Sequence, residues 1–350
     1  MKSFVALNVT LGAQPPWVGA RLAQIDTSSR GREQLHLNQR PELLLGLAEE
    51  TRIASITASN AIEGVVVDVR RAEKLVRPVP ARVRNRNEQA FTGYRDAMDG
   101  LMRQGDPEPV SVLLVLHLHR QLLGAADGRG GQLKSSQNLI VSDEGGERMI
   151  LFTPTSPDDT PFALSELIDR YRGAADEEQA HPVLLIGLFV LDFLAIHPVA
   201  DGNGRLARLL TSHLLRQRGY GIARYVSLEQ RIFDTKARYY QALTDSQRGW
   251  QETRHDPWPW LEYLVGAVAE SYARFEERVS ASGPPGRSKQ QRVRGYVLDQ
   301  AGTDFKTADI RRALPGVSDQ TIRLVLGALR DEGAIIATGV GPSARWRRRT

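Results

Sequence analysis

Residues 181–208 read HPVLLIGLFVLDFLAIHPVADGNGRLAR, and the fold turns on this stretch. Its first half is apolar on nearly every side, with Leu184, Leu185, Ile186, Leu188, Phe189, Val190, Leu191, Phe193 and Leu194. A helix of that kind belongs in the middle of a domain. His197-Pro198 ends it, a glycine-rich turn follows, and a new helix is predicted from about Gly204 to Gln217.

The turn carries chemistry. Gly202 and Gly204 let the backbone fold tightly and approach a ligand closely. The start of the next helix presents unpaired N–H groups and the positive end of its dipole, so a phosphate chain is the natural guest. Arg205 and Arg208 are three apart, share a helix face, and can fork the same anion. Asp201 supplies a carboxylate beside the phosphates, where Mg²⁺ needs one. His197 titrates near neutral pH and can take a proton from an attacking hydroxyl. Together these residues describe phosphoryl or nucleotidyl transfer by positioning and charge stabilisation.

Working outward, helices dominate. They are predicted from Pro41 to about Ser59, Asn85 to Gln104, Ser111 to Leu123, Asp159 to Gly173, Leu228 to Asp245 and Trp258 to Val279. A hairpin is predicted between them, with Leu139-Ile140-Val141 and Met149-Ile150-Leu151-Phe152 as strands around the turn 143–146. Residues 1–40 are poorly periodic and read as irregular. The stretch 280–288 reads as a linker.

Composition sets the class. The 350 residues suggest two or three domains, and 41% hydrophobic residues suffice for sizeable cores. With no cysteine, disulfides and cysteine-held metals are excluded. The N-terminus lacks the apolar core of a secretion signal, and no uninterrupted apolar run reaches about 18 residues, so a cytoplasmic chain with no membrane contact is expected. The formal charge is +5, yet residues 287–350 hold 13 Lys/Arg against 6 Asp/Glu, which leaves the rest slightly negative. That asymmetry points to an acidic partner, nucleic acid included, for the C-terminal segment alone.

The segment His197 to Arg208 resembles the Fic motif, His-x-Phe-x-Asp/Glu-Gly-Asn-Gly-Arg-x-x-Arg, with Val199 in place of the usual Phe. That position is a buried anchor, so Val should alter packing more than chemistry. The resemblance implies a mainly α fold: a Fic-type helical core with a β-hairpin flap, plus a C-terminal winged-helix domain. It implies an adenylyltransferase that moves AMP from ATP, with Mg²⁺, onto a Ser, Thr or Tyr hydroxyl of a target protein. His197 would be the general base and Asp201 would hold the metal. Gly202, Asn203 and Gly204 would form the anion hole. Arg205 would contact the phosphates and Arg208 the γ-phosphate, with Leu206 among the ATP-lining positions. Leu139 and Ile140 would belong to the flap that aligns the target peptide as an added strand. Tyr239-Tyr240 resembles the paired tyrosines of the adenine side; an aromatic pair in a helical core is the competing reading.

Ser59-Asn60-Ala61-Ile62-Glu63-Gly64 is similar to the family's inhibitory motif, Ser/Thr-x-x-x-Glu-Gly/Asn. Paired with Glu63, Arg208 would be unavailable to the γ-phosphate. The resulting organisation is an N-terminal helical region with this motif (1–95), a catalytic core (96–279), the linker (280–288) and a winged helix-turn-helix (289–350). In the last, Gln320, Thr321 and Arg323 would head a recognition helix, and Arg345, Arg347, Arg348 and Arg349 would sit on the wing, with DNA or protein as its partner. Auto-modification and a homodimer are compatible with this reading. Two alternatives stay open: a DNA-binding regulator with a nucleotide-sensing core, and a Fic enzyme of different reaction, removing AMP or transferring another phosphate-linked group.

Overall fold

The computed structural model describes the chain apart from residues 1, 6, 13, 34–35, 37–39, 78–80, 104–105, 125–128, 145–146, 283–288, 339–344 and 349–350. Short turns at the N-terminus lead to α1 (Trp17–Thr27), α2 (Pro41–Ile62), α3 (Val69–Val76), α4 (Arg86–Arg103) and α5 (Val112–Leu123). The antiparallel hairpin β1 (Ile140–Glu144) and β2 (Glu147–Phe152) follows, with a bulge between Ile140 and Val141. Then come α6 (Thr160–Asp176), α7 (Pro182–Ile196), α8 (Asn203–Gln217), α9 (Leu228–Asp234), α10 (Lys236–Gln247) and α11 (Trp258–Ala281).

The local chemistry explains the boundaries of the central helix. Pro182 occupies the first turn of α7, and His181 Nδ1 accepts from Val183 N at 3.2 Å. Every residue from Val183 to Ile196 is buried, with α6, α8, α10 and α11 packed around it. One apolar interior runs from Phe4 to Val279 and includes Val199. The N-terminal helices therefore share a core with the rest of this unit, and α4 continues through residue 95.

A second, separate core holds Val293, Val297, Phe305, Ile310, Ile322, Val325, Leu326, Leu329 and Ile335. It lies among α12 (Lys289–Gly295), α13 (Thr307–Ala313), α14 (Asp319–Asp331) and a three-stranded antiparallel sheet. The sheet order is β3 (Asp304–Lys306), β5 (Arg345–Arg348), β4 (Ile335–Thr338). Ser318 caps α14 by accepting from Thr321 N at 3.3 Å, and the apolar residues of α14 fall on one face. Gly46 of α2 lies so close to the Pro315–Gly316 turn that a Cβ there would meet backbone atoms at 3.0–3.2 Å.

Two expectations change, and two elements had no counterpart in the sequence reading. Residues 1–40 contain a helix, α1, whose buried Val18, Leu22 and Ile25 are too few to impose a clear period. Residues 228–245 form two helices, broken at Thr235, where φ is −123° and ψ 32°. Helix α3 was hidden in a charged stretch in which only Ala72, Leu75 and Val76 turn inward. Strand β3 is three residues long, with only Phe305 buried, and Arg347 Nε donates to Asp304 Oδ1 at 2.8 Å across the ladder to β5. The turn residues Gly145 and Gly146 and most of the expected linker lie outside the described residues, as does Arg349.

Separate interiors should report separately. Leu191→Ala is expected to cost about 2–5 kcal/mol in the unfolding transition of the large unit, and Leu329→Ala a similar amount in that of the C-terminal unit. Calorimetry should show each substitution lowering one transition while the other stays in place.

Candidate active site

The end of α7 leaves carbonyls to be satisfied, and the chain accounts for each in turn. Phe193 O accepts from His197 N at 2.9 Å, and Leu194 O lies 3.2 Å from His197 Nδ1. Ala195 O accepts from Thr155 N at 3.3 Å, and Ile196 O from the Lys134 ammonium at 2.9 Å. Asn138 Nδ2 donates to His197 O at 3.4 Å and to Val199 O at 3.0 Å. Pro198 O accepts from Lys134 N at 2.9 Å.

This pattern holds His197 in the left-handed region, with φ 54° and ψ 62°. For a residue with a Cβ that conformation costs roughly 1–2 kcal/mol, and the ring of bonds around it sustains the strain. The Leu194 carbonyl assigns the imidazole proton to Nδ1 and leaves Nε2 as the basic nitrogen. Burial pushes the His197 pKa down to about 4; the bond to Leu194 opposes that, and the nearby Lys134 charge adds to it. The imidazole is therefore neutral at physiological pH.

Beyond Val199 the loop closes on itself. Asn203 Oδ1 accepts from Val199 N at 3.0 Å, and its Nδ2 donates to Val199 O at 2.7 Å. The Asn203 side chain thus shapes the loop rather than facing a ligand. Gly202 caps α8 at φ 88°, where only glycine sits without strain. The first helical bond of α8 runs from Leu206 N to Gly202 O at 2.9 Å. The N–H groups of 203–205 are left outside the helical ladder, at its positive end. Leu206 itself turns its side chain into the core, and its N–H goes to Gly202 O.

Two arginines are aimed at this end. Arg205 is buried, its Nη2 3.6 Å from Asp201 Oδ2. Its Nε and Nη1, and Nη1 of Arg208, are buried with no hydrogen-bond acceptor among the described residues. Each such donor costs about 1–3 kcal/mol or more, a penalty that an incoming anion would remove. Asp201 is 59% exposed, so its carboxylate is accessible from solvent. A single carboxylate fits Mg²⁺ that arrives with phosphate oxygens completing its shell, and among the described residues no cluster of three acidic or histidine side chains could hold a metal without them.

Arg208 has protein partners as well. Its Nη2 donates to Glu63 Oε1 at 2.8 Å and to Ser59 O at 3.0 Å, and its Nε donates to Ser59 Oγ at 2.8 Å. Only 3% of its side chain is exposed. Burial is the largest influence and opposes its charge, but Glu63, Tyr239 and Tyr94 together outweigh that and raise its pKa further. Helix α2 ends where it must for this contact. Gly64, at φ 77°, donates to Ala61 O at 3.1 Å, and Val65 N donates to Asn60 O at 2.9 Å, which is a Schellman stop. Gly204 completes the fit, because a Cβ there would collide with Glu63 Oε1.

The tyrosines separate. Tyr239 is 2% exposed and packs edge-on against Tyr240, Trp260 and Tyr263 at 5.2–5.7 Å. Tyr240 is 41% exposed, with the Lys236 ammonium 5.8 Å from its ring. Leu139 is exposed at the start of the hairpin and Ile140 is half-buried, while Met149, Ile150 and Leu151 are exposed along β2. Lys134 was missed by sequence reading, because a lone lysine beside a glycine-rich turn carries no signal of burial.

With this geometry established, relatives can be compared. The Fic/DOC family model matches residues 109–215. "Protein adenylyltransferase Fic" of Culex quinquefasciatus is 36% identical over 110 residues, 30% of this chain and 19% of that protein. The Drosophila melanogaster protein of the same name is 32% identical over 112 residues, 32% of this chain and 21% of that one. The chain thus matches about a fifth of the length of these relatives. Among solved structures, a Fic family protein from Desulfovibrio desulfuricans G20 has the same fold over 96% of both chains, at 22% identity and TM-score 0.61. A Fic domain containing signaling protein from Bacteroides thetaiotaomicron covers 73% of this chain and 96% of its own, at 21% identity and TM-score 0.60. The likeness to the Fic/DOC family thus rests on residues 109–215, which contain His197 to Arg208.

Proposed function

We propose that the chain is a protein adenylyltransferase that transfers AMP from ATP to a hydroxyl of a target protein, and that Glu63 holds it inactive. One observation carries the reading: the buried Arg208 guanidinium sits beside the glycine loop and is shared between Glu63 and Ser59, with one nitrogen free for an anion. The names of the curated relatives support it over the segment they match.

The residues divide the work. The triphosphate lies along the start of α8, where the free N–H groups of 203–205 and the open donors of Arg205 bind its oxygens. Magnesium, held by Asp201 together with phosphate oxygens, would neutralise charge on the leaving pyrophosphate. The target hydroxyl oxygen bonds to the α-phosphorus, the bond from that phosphorus to the bridging oxygen breaks, and pyrophosphate departs. The hydroxyl proton passes to Nε2 of His197, which the Leu194 carbonyl keeps available. The exposed strand β2 offers the target an edge to pair with. Tyr240 is the better placed of the two tyrosines to meet the adenine, since Tyr239 is committed to the core.

In this reading the γ-phosphate and the Glu63 carboxylate compete for Arg208. While Glu63 wins, ATP settles in a pose unfit for in-line attack. The C-terminal unit, read as a winged helix-turn-helix, presents Gln320 and Arg323 from the start of α14 and serves as a docking module. A regulator that only senses nucleotide is the weaker reading, because His197, Asp201 and both arginines are all retained.

Glu63→Gly should raise auto-modification from labelled ATP by roughly 5–150-fold, the span of a typical coupling between sites. An unchanged rate removes Glu63 from control of the enzyme. His197→Ala in that background should lower transfer by about 10²–10⁴-fold while ATP affinity holds within about twofold; retained transfer would mean another base. Because burial depresses the His197 pKa to about 4, its basic form persists as pH falls through 6.5. The kcat/KM profile of Glu63→Gly should stay level down to about pH 5 and decline below it. A decline centred at 6.5 would mean an imidazole open to water.

A further inference from the structure

We propose that Lys134 is a positioning residue for the transfer reaction: with Asn138 it clamps the carbonyls of 196–199 and so fixes the imidazole of His197 in its working orientation. The inference rests on the transferase reading above.

The geometry is specific. Lys134 is buried against the end of α7, and its ammonium donates to Ile196 O at 2.9 Å and to Asn138 Oδ1 at 3.0 Å. That second bond orients the Asn138 amide, whose Nδ2 donates to Val199 O and His197 O. The Lys134 backbone N–H takes the remaining carbonyl, Pro198 O. Four consecutive carbonyls around the catalytic histidine are thus held by residues 134 and 138, on a segment that enters the hairpin.

A buried ammonium is a costly way to hold a loop. Among the described residues no carboxylate offsets its charge, and burial lowers its pKa to about 8. Two features make it suited to the place. An ammonium at the last turn of α7 meets the negative end of the helix dipole. Its charge also adds to the burial that keeps His197 neutral, since Lys134 lowers the pKa of that imidazole further. An apolar residue of similar length would fill the space and leave Ile196 O without this donor. Arginine would keep the charge and the donors in a wider head.

The test uses the full chain in the Glu63→Gly background. Lys134→Met, Lys134→Arg and Asn138→Ala are compared by kcat, KM for ATP, affinity for a non-hydrolysable ATP analogue, and ¹⁵N NMR of the His197 ring. Lys134→Met should lower kcat about 100-fold, the scale of a small misplacement of a reacting group. Analogue affinity should stay within about twofold. The His197 pKa should rise, and its Nδ1–H form should give way to a mixture. Lys134→Arg should restore most of the loss, and Asn138→Ala should lower kcat by about tenfold.

The proposal is overturned if folded Lys134→Met keeps kcat within twofold, or if it loses kcat with the tautomer and pKa of His197 unchanged. If Lys134→Met does not fold, Asn138→Ala decides: full kcat with an unaltered His197 spectrum overturns the proposal. If Glu63→Gly itself transfers no AMP, the transferase reading fails, and the NMR comparison still decides whether Lys134 sets the ring.

Discussion

Arg208 carries a full positive charge into the middle of a helical bundle, and much of the surrounding sequence answers to that placement. Withdrawing an ion from water costs several kcal/mol even after relaxation. Ser59 contributes a hydroxyl and a carbonyl, and Glu63 a carboxylate, to meet it. Those residues can do so only because α2 stops at Gly64, which sets Glu63 on the last turn. Gly204, having no side chain, leaves room for the carboxylate. Four glycine and polar positions that look unrelated along the chain thus serve one guanidinium.

The second constraint is the end of α7. A helix buried on all sides cannot leave its final carbonyls to water, so they must find partners inside the protein. The partners come from three places: the His197 ring and backbone, Thr155 after the hairpin, and the 134–138 segment before it. The hairpin is therefore tied at both ends to the loop that holds the histidine. What looks like an excursion from a helical fold is anchored directly at the His197 loop.

Much of this was legible in the residues themselves. The run from Leu184 to Leu194 announced a buried helix, and glycines flanking Asn203 before two arginines raised the expectation of an anion site. The pairing of Glu63 with Arg208, expected from a six-residue pattern, appears as a 2.8 Å contact. Legibility ended where tertiary context decides. Asn203 belongs by type to a ligand pocket, yet it bonds its own loop at Val199. Tyr239 and Tyr240 are neighbours in sequence, but helical geometry sends one into the core and the other outward. Lys134 had no periodic company, because its bonds go to carbonyls 62 and 64 residues away. Helices α1 and α3 were lost because too few of their residues face inward to set a period.

The Glu63–Arg208 contact also bears on how the chain responds to its surroundings. Mobile ions weaken attractions between charges at the surface, but they hardly reach a guanidinium with 3% of its side chain exposed. Ordinary changes in ionic strength reach only the partly exposed Glu63 carboxylate and should loosen the pair little. To part the two groups, something must either offer Arg208 a better acceptor or pull the last turn of α2 away bodily. A contact built this way responds little to the cell's electrolyte and yields to a fitted object or to mechanical displacement.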